Sequence, residues 1–146
     1  GTREIGPIIY KAGEVDQERT ALLIDGDVGF KSTVTLARTQ WMVFHSEEPL
    51  LGIVLDFGYG AFFRIPGEVI VEARVNNEWQ RIDVPDGSRY VAVRCADNLM
   101  NAQFARVYIP LNRVDTTIYR IRGSRKRWDV PEMRLVVLDS KSEDQP

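Results

Sequence analysis

The stretch Arg120-Ile121-Arg122-Gly123-Ser124-Arg125-Lys126-Arg127-Trp128 sets five cations and one indole into nine residues of a chain whose formal net charge is -2. Arginine offers paired N–H donors that match the oxygens of a carboxylate, sulfate or phosphate, and an indole offers a flat face. The chemistry open to such a cluster is contact with an anion or an acidic sugar through Arg125, Lys126, Arg127 and Trp128. The same residues have a structural reading, in which the arginines pair with Asp129, Glu132 or Glu72 and Trp128 folds back onto the edge of the domain. Exposed pairs of that kind add little stability each. A second cluster, Gly58-Tyr59-Gly60-Ala61-Phe62-Phe63-Arg64, carries three aromatic rings and a cation on a glycine-flexed segment. Sugar rings present apolar C–H faces, so Tyr59, Phe62 and Arg64 suit glycan contact. Phe62 and Phe63 would equally suit plugging the end of a core.

Catalytic chemistry has less footing. The one histidine, His45, lies in Val43-Phe44-His45-Ser46-Glu47-Glu48, and a serine, a histidine and an acid in one short run do not make a triad, which is defined by spatial roles. The sequence holds no His/Cys cluster with zinc spacing, no phosphate-binding glycine loop before a helix and no nucleophile elbow. Among 21 acidic residues, no carboxylate pair stands out as the machinery of glycoside hydrolysis. The expectation is a chain that is not an enzyme.

Composition narrows the class further. A length of 146 residues with 44% hydrophobic side chains is enough for one buried core without metal or disulfide staples. The near-balance of 19 basic and 21 acidic residues argues against nucleic acid as partner, since that affinity comes from neutralising many phosphates at once. The single cysteine, Cys95, excludes an intramolecular disulfide, and its run Tyr90-Val91-Ala92-Val93-Arg94-Cys95 reads as a buried strand. There is no apolar stretch long enough for a membrane span and no signal peptide at the start. An extracellular, cell-surface or virion setting is the expectation.

The elements that must position these residues are strands. In Leu51-Gly52-Ile53-Val54-Leu55-Asp56-Phe57 the residues Leu51, Ile53, Leu55 and Phe57 share one face and Asp56 the other, as in a half-buried strand. Val69, Val71, Ala73 and Val75 alternate with Glu72 and Arg74, Asn76-Asn77 tolerates positive φ, and Glu78-Trp79-Gln80-Arg81-Ile82 returns, which predicts a hairpin. Further strands are expected near 7–11, 34–44, 90–95, 104–109, 116–122 and 133–138. In the run 116–122, Tyr119 and Ile121 point one way and Ile118, Arg120 and Arg122 the other, with Arg134 of the returning strand expected near Arg120 or Arg122. Asn98-Leu99-Met100-Asn101-Ala102-Gln103 could form a helical turn. Trp41 and Trp79 are assigned to core packing. This is an all-β pattern, an antiparallel sandwich or barrel, with residues 1–138 as a single domain and 139–146 as a polar tail.

Four separated pieces carry a resemblance. They are Ala21-Leu22-Leu23-Ile24-Asp25-Gly26-Asp27; Gly52-Ile53-Val54-Leu55-Asp56-Phe57-Gly58; the hairpin from Val71 through Asn76-Asn77-Glu78-Trp79 to Ile82; and Thr117-Ile118-Tyr119-Arg120-Ile121-Arg122-Gly123 followed by Val130-Pro131-Glu132-Met133-Arg134-Leu135-Val136. In this order they resemble the galactose-binding-like jelly roll of discoidin and coagulation-factor C-type domains, whose relatives include many carbohydrate-binding modules. The chain departs from that pattern after Asp27, where Val28-Gly29-Phe30-Lys31-Ser32-Thr33 stands in place of a nearby Thr and Trp. The resemblance implies a noncatalytic carbohydrate-binding module with its ligand at loops on one end of the sandwich. It also implies a structural calcium held by Asp25, Asp27 and Glu132, ligands of the hard oxygen type that ion takes; an ordinary turn at Asp25-Gly26-Asp27 is the competing reading. The alternative function is a structural or assembly domain of a virion, tail fibre or cell-surface protein. Partners on these readings are a glycan or a protein surface, in a larger assembly or a multidomain chain.

Overall fold

The computed structural model describes residues 1–12, 24, 34–37, 39–57, 69–83, 91–97, 102–123, 128–130 and 132–139. Every regular element among them is a strand: β1 (Thr2–Ile5), β2 (Ile8–Ala12), β3 (Val34–Leu36), β4 (Met42–His45), β5 (Gly52–Phe57), β6 (Val69–Val75), β7 (Glu78–Arg81), β8 (Val91–Asp97), β9 (Ala102–Pro110), β10 (Ile118–Gly123), β11 (Trp128–Val130) and β12 (Glu132–Leu138). Sheet A has the order β1-β12-β5-β9-β8, sheet B the order β2-β4-β10-β6-β7, and β11 pairs with β3 alone. All of these pairings are antiparallel.

Strand alternation explains why the two sheets close on each other. Ile53, Leu55, Val107, Ile109, Met133, Leu135 and Val137 line the inner face of sheet A, and Met42, Phe44, Val71, Ala73, Tyr119 and Ile121 that of sheet B, all in one buried cluster. Each large side chain so enclosed contributes on the order of 1.5–3 kcal/mol relative to exposure. The fold is thus the expected all-β antiparallel sandwich. The hairpin between β6 and β7 closes as its sequence requires, with Asn76 at φ 52° and Asn77 at φ 64°. Two successive left-handed residues are what a two-residue turn needs to match the twist of its strands.

The expectations differ from the structure at several points. The run 34–44 is two strands, because Gln40 turns the chain: its N–H donates to the Ala37 carbonyl at 3.0 Å and its side-chain oxygen accepts from the Ala37 N–H at 2.7 Å. That break lets β3 leave sheet B and pair with β11. Ala102 and Gln103 belong to β9, so no helical turn forms there; Asn98, Leu99, Met100 and Asn101 lie outside the described residues. β5 is buried on both faces rather than one, since Val54 and Asp56 are enclosed along with Ile53 and Leu55. Arg134 does not approach Arg120 or Arg122. It sits on β12 in sheet A while β10 pairs with β4 and β6 in sheet B, and alternation dictates a face without dictating which strand is the neighbour.

Tyr119 ties the layers together. Its ring is fully buried and stacks on Phe44 with centroids 5.7 Å apart. Its hydroxyl donates to the Thr116 carbonyl at 2.8 Å and accepts from the Leu50 N–H at 2.9 Å. Burial raises the hydroxyl above its ordinary value of 10.0, with the Leu50 N–H opposing the shift. Tyr119→Phe leaves a buried N–H and a carbonyl without this partner, and urea denaturation should read a loss of about 1–3 kcal/mol. Because the folded state holds the phenolic proton more tightly than the unfolded chain, this residue's pH-linked contribution is complete below the unfolded value of 10.0 and is lost as pH rises past it. The alkaline fall in stability should therefore be steeper for the wild type than for Tyr119→Phe in denaturation curves taken across that range.

Candidate functional site

The strand registers gather several connections at one end of the sandwich. In sheet B, Gly123 pairs with Val69, Ile121 with Met42, and Met42 with Ala12. In sheet A, Phe57 pairs with Ala105, Asp56 with Glu132 and Asp97 with Ala102. The opposite ends of both sheets are joined by short crossings, where Ser46 N–H donates to the Thr117 carbonyl at 2.8 Å and Leu111 N–H to the Leu51 carbonyl at 3.0 Å. The connections 13–33, 58–68, 98–101 and 124–127 are consequently rooted together at the first end. Leu36 of β3 and Val130 of β11 join the core there, so the small third sheet closes that end of the sandwich.

Of the residues expected to act at this rim, Tyr59, Phe62, Arg64, Arg125, Lys126, Arg127, Asp25 and Asp27 lie outside the described residues. Trp128 is placed by its backbone, opposite Leu36 in the β11–β3 pair. Glu132 opens β12, is only 3% exposed, and faces Asp56 across the ladder. Asp56 accepts from Arg106 Nε at 2.8 Å and from its second terminal nitrogen at 3.1 Å, a bidentate pair. Among the described residues no group of three or more His, Cys, Asp or Glu could hold a metal ion. Glu132 is the one expected calcium ligand among the described residues; the six to eight oxygens of such a shell would need Asp25, Asp27 and backbone carbonyls besides.

The cationic stretch that opens the sequence is split by the fold. Arg120 and Arg122 stay on β10, on the outer face of sheet B. Arg120 stands directly opposite Glu72, and its Nε donates to Glu72 Oε1 at 2.7 Å while a terminal nitrogen reaches the same oxygen. The carboxylate relieves the crowding of like charges on this face, which the structural reading of the arginines anticipated. Trp41 and Trp79 correct the expectation of core packing, for both are half-buried on this outer face. Trp41 precedes β4, whose Met42 and Phe44 turn inward, and Trp79 alternates in phase with Arg81, so neither ring can face the core.

These side chains form a continuous line of contacts. The Arg120 guanidinium carbon is 4.0 Å from the Trp41 ring centroid and 4.4 Å from that of Trp79. Arg122 lies 4.7 Å from Trp41 and Arg74 lies 5.3 Å from Trp79. Each such contact is worth about 0.5–1 kcal/mol where exposed and on the order of 2 kcal/mol where desolvated. The phase of Trp79 with Arg81 and Arg74 was the sequence signal for this ladder, and it outranks the general tendency of tryptophan to be buried.

The outer face of sheet A has a different character. A depression of about 470 Å³ is lined by Thr2, Arg3, Glu4, Val54, Arg106, Tyr108 and Val136. The Tyr108 ring lies across Gly52, where a β-carbon would meet it at 2.6 Å. Glycine at this position is what lets the ring lie flat. The arginines lining the depression have acidic partners, Arg106 with Asp56 and Arg3 with Glu47 at 3.7 Å. His45, on the outer face of sheet B, is hydrogen-bonded through Nε2 to Thr117 Oγ1 at 3.2 Å.

No protein family, characterised protein or solved structure matches this chain. Arg120→Ala would remove the cation shared by two indoles and leave Glu72 half-buried without it. The expected cost is about 2 kcal/mol in chemical denaturation, with tryptophan emission moving to longer wavelength as Trp41 and Trp79 gain water.

Proposed function

We propose that this chain is a noncatalytic ligand-binding module of the galactose-binding-like kind that takes a carbohydrate at loops on one end of its sandwich. The observation that carries this reading is the register of Gly123 with Val69. The segment 58–68, which contains Tyr59, Phe62 and Arg64, enters β6 at Val69, beside the point where 124–127, with Arg125, Lys126 and Arg127, leaves β10. Two segments chosen for their glycan chemistry thus spring from neighbouring strands, and Trp128 follows one of them directly. Aromatic faces edged by arginine donors are the chemistry that binds a sugar's C–H face and its hydroxyl or carboxylate groups. A structural calcium on Asp25, Asp27 and Glu132 is part of this proposal.

The alternative is an assembly domain, favoured by one feature. β8, seven residues long, lies at the end of sheet A with β9 as its one strand partner among the described residues, a position that suits strand pairing with a partner.

The test is a glycan array of neutral and acidic sugars, probed with folded protein in calcium and again in chelator. Reproducible retention of a related group of glycans, weakened by chelator, is the expected result; folded protein that retains none moves the balance to the assembly domain. Trp128→Ala should abolish that retention while the melting temperature stays nearly unchanged, and a large fall in melting temperature would instead put the ring in the core.

A further inference from the structure

We infer that the depression on the outer face of sheet A is a binding site for a neutral sugar ring, stacked on Tyr108 and hydrogen-bonded by Glu4 and Thr2. The inference shares its ligand class with the rim reading and departs from it in place, since none of these residues belongs to the loops at the end of the sandwich.

Four strands build the site. Glu4 of β1 stands opposite Val136 of β12, Val136 opposite Gly52 of β5, and Val54 of β5 opposite Tyr108 of β9. Alternation turns these side chains away from the core that Ile53, Leu55 and Leu135 fill. Val54 and Val136 are buried all the same. They form the apolar floor of a hollow of about 470 Å³, a size within the range of about 300–1,000 Å³ found for small-ligand pockets. Glu4 stands two strands, about 10 Å, from Gly52, on the far side of Val136.

Tyr108 supplies the platform. A β-carbon built on Gly52 would meet Cε2, Oη and Cζ of that side chain at 2.6, 2.6 and 2.7 Å. Near-equal distances to three bonded atoms put the added carbon over the face of the ring and not in its plane. One face of the tyrosine thus rests on the backbone of β5, and its hydroxyl reaches the Leu51 carbonyl at 3.5 Å. The side chain is half-buried, with its other face turned outward into the hollow. A ring already held in place loses little further freedom when a ligand packs on it. Sugar rings present apolar C–H groups on their faces, and a fixed aromatic face is the surface that takes them.

The rim selects against charge of either sign. Arg106 is engaged by Asp56, and Arg3 is paired with Glu47. Across this face and its margin, Arg3, Arg106 and Arg134 are set against Glu4, Glu47, Asp56 and Glu132, so an anion finds no excess of positive charge. A cationic ligand would meet the guanidiniums of Arg3 and Arg106, which line the hollow. The chemistry left to the rim is that of hydroxyl recognition. Glu4 is exposed and enters no ion pair among the described residues, and Thr2 is exposed two residues away on the same face of β1. One carboxylate accepts two hydroxyl hydrogens at once, each in a charge-assisted bond, which is the pattern that neighbouring hydroxyls of a pyranose offer.

The test is native affinity electrophoresis of the full chain through gels containing galactomannan, xyloglucan, mixed-linkage β-glucan or polygalacturonate. At least one neutral polymer should retard the wild type, and about 0.5 M salt should leave that retardation in place, because screening does not touch stacking on an uncharged ring. Tyr108→Ala should weaken binding at least tenfold, on the order expected for an aromatic anchor. Tyr108→Phe should stay within about twofold of wild type, since the ring face is the contact. Should circular dichroism show that Tyr108→Ala has lost its fold, Glu4→Gln is read in its place, an exposed change on an edge strand that should weaken binding about threefold. The inference is overturned by no retardation in any neutral polymer, or by wild-type binding in whichever of these two variants is read. Trp128→Ala separates the two sites. Binding lost there and kept in Tyr108→Ala places the sugar at the rim and sinks this site, whereas the reverse pattern keeps this site and sinks the rim.

Discussion

The constraint on which the sandwich depends is the burial of a phenol. A tyrosine ring in the centre of a core contributes apolar area, but its hydroxyl must find partners or cost more than the ring gains. Tyr119 finds them in backbone rather than in side chains: the Leu50 N–H belongs to the crossing from β4 to β5, and the Thr116 carbonyl to the approach into β10. One oxygen atom thus ties the β4–β5 crossing to the β9–β10 crossing. The same strand turns Arg120 and Arg122 to the other side, so the residue that fixes the core also fixes the phase of the outer face.

A near-neutral composition conceals an uneven surface. The strands of sheet B display four arginines and one glutamate outward, while the outer face of sheet A carries Glu4, Asp56 and Glu132 with Arg106 and Arg134. On sheet A the buried Asp56 is matched by Arg106 in bidentate fashion. On sheet B the guanidiniums of Arg74, Arg120 and Arg122 are layered against indoles, and that of Arg120 is also held by Glu72.

Much of the fold was legible because alternation is a local property. Val69, Val71 and Ala73 against Glu72 and Arg74 announced a strand with one buried face, and Asn76-Asn77 announced the turn that follows. The inward direction of Tyr119 and Ile121 was equally plain. Partnership was not legible, because it is set by long-range topology: nothing in Arg134 or its neighbours says that β12 lies between β1 and β5 rather than against β10. The tryptophans misled for another reason. Their bulk suggests burial, yet an indole can surrender most of its water to arginine stems and guanidiniums without entering a core. The short β11–β3 pair escaped notice since three residues give alternation too little length to show.

The outermost strand pair of sheet A gives the domain a mechanical character. β1 runs antiparallel to β12, with Thr2 opposite Leu138 and the Asp139 N–H donating to the Gly1 carbonyl at 3.0 Å. Tension applied between residues 1 and 139 would therefore open the β1–β12 ladder one rung at a time, as a zip opens, instead of loading all its hydrogen bonds together in shear. A load pulling along the two strands from opposite ends of the sandwich would meet the whole ladder at once. The fold is thus compliant along one axis and stiff along another, and the direction of pull decides which of the two a partner would feel.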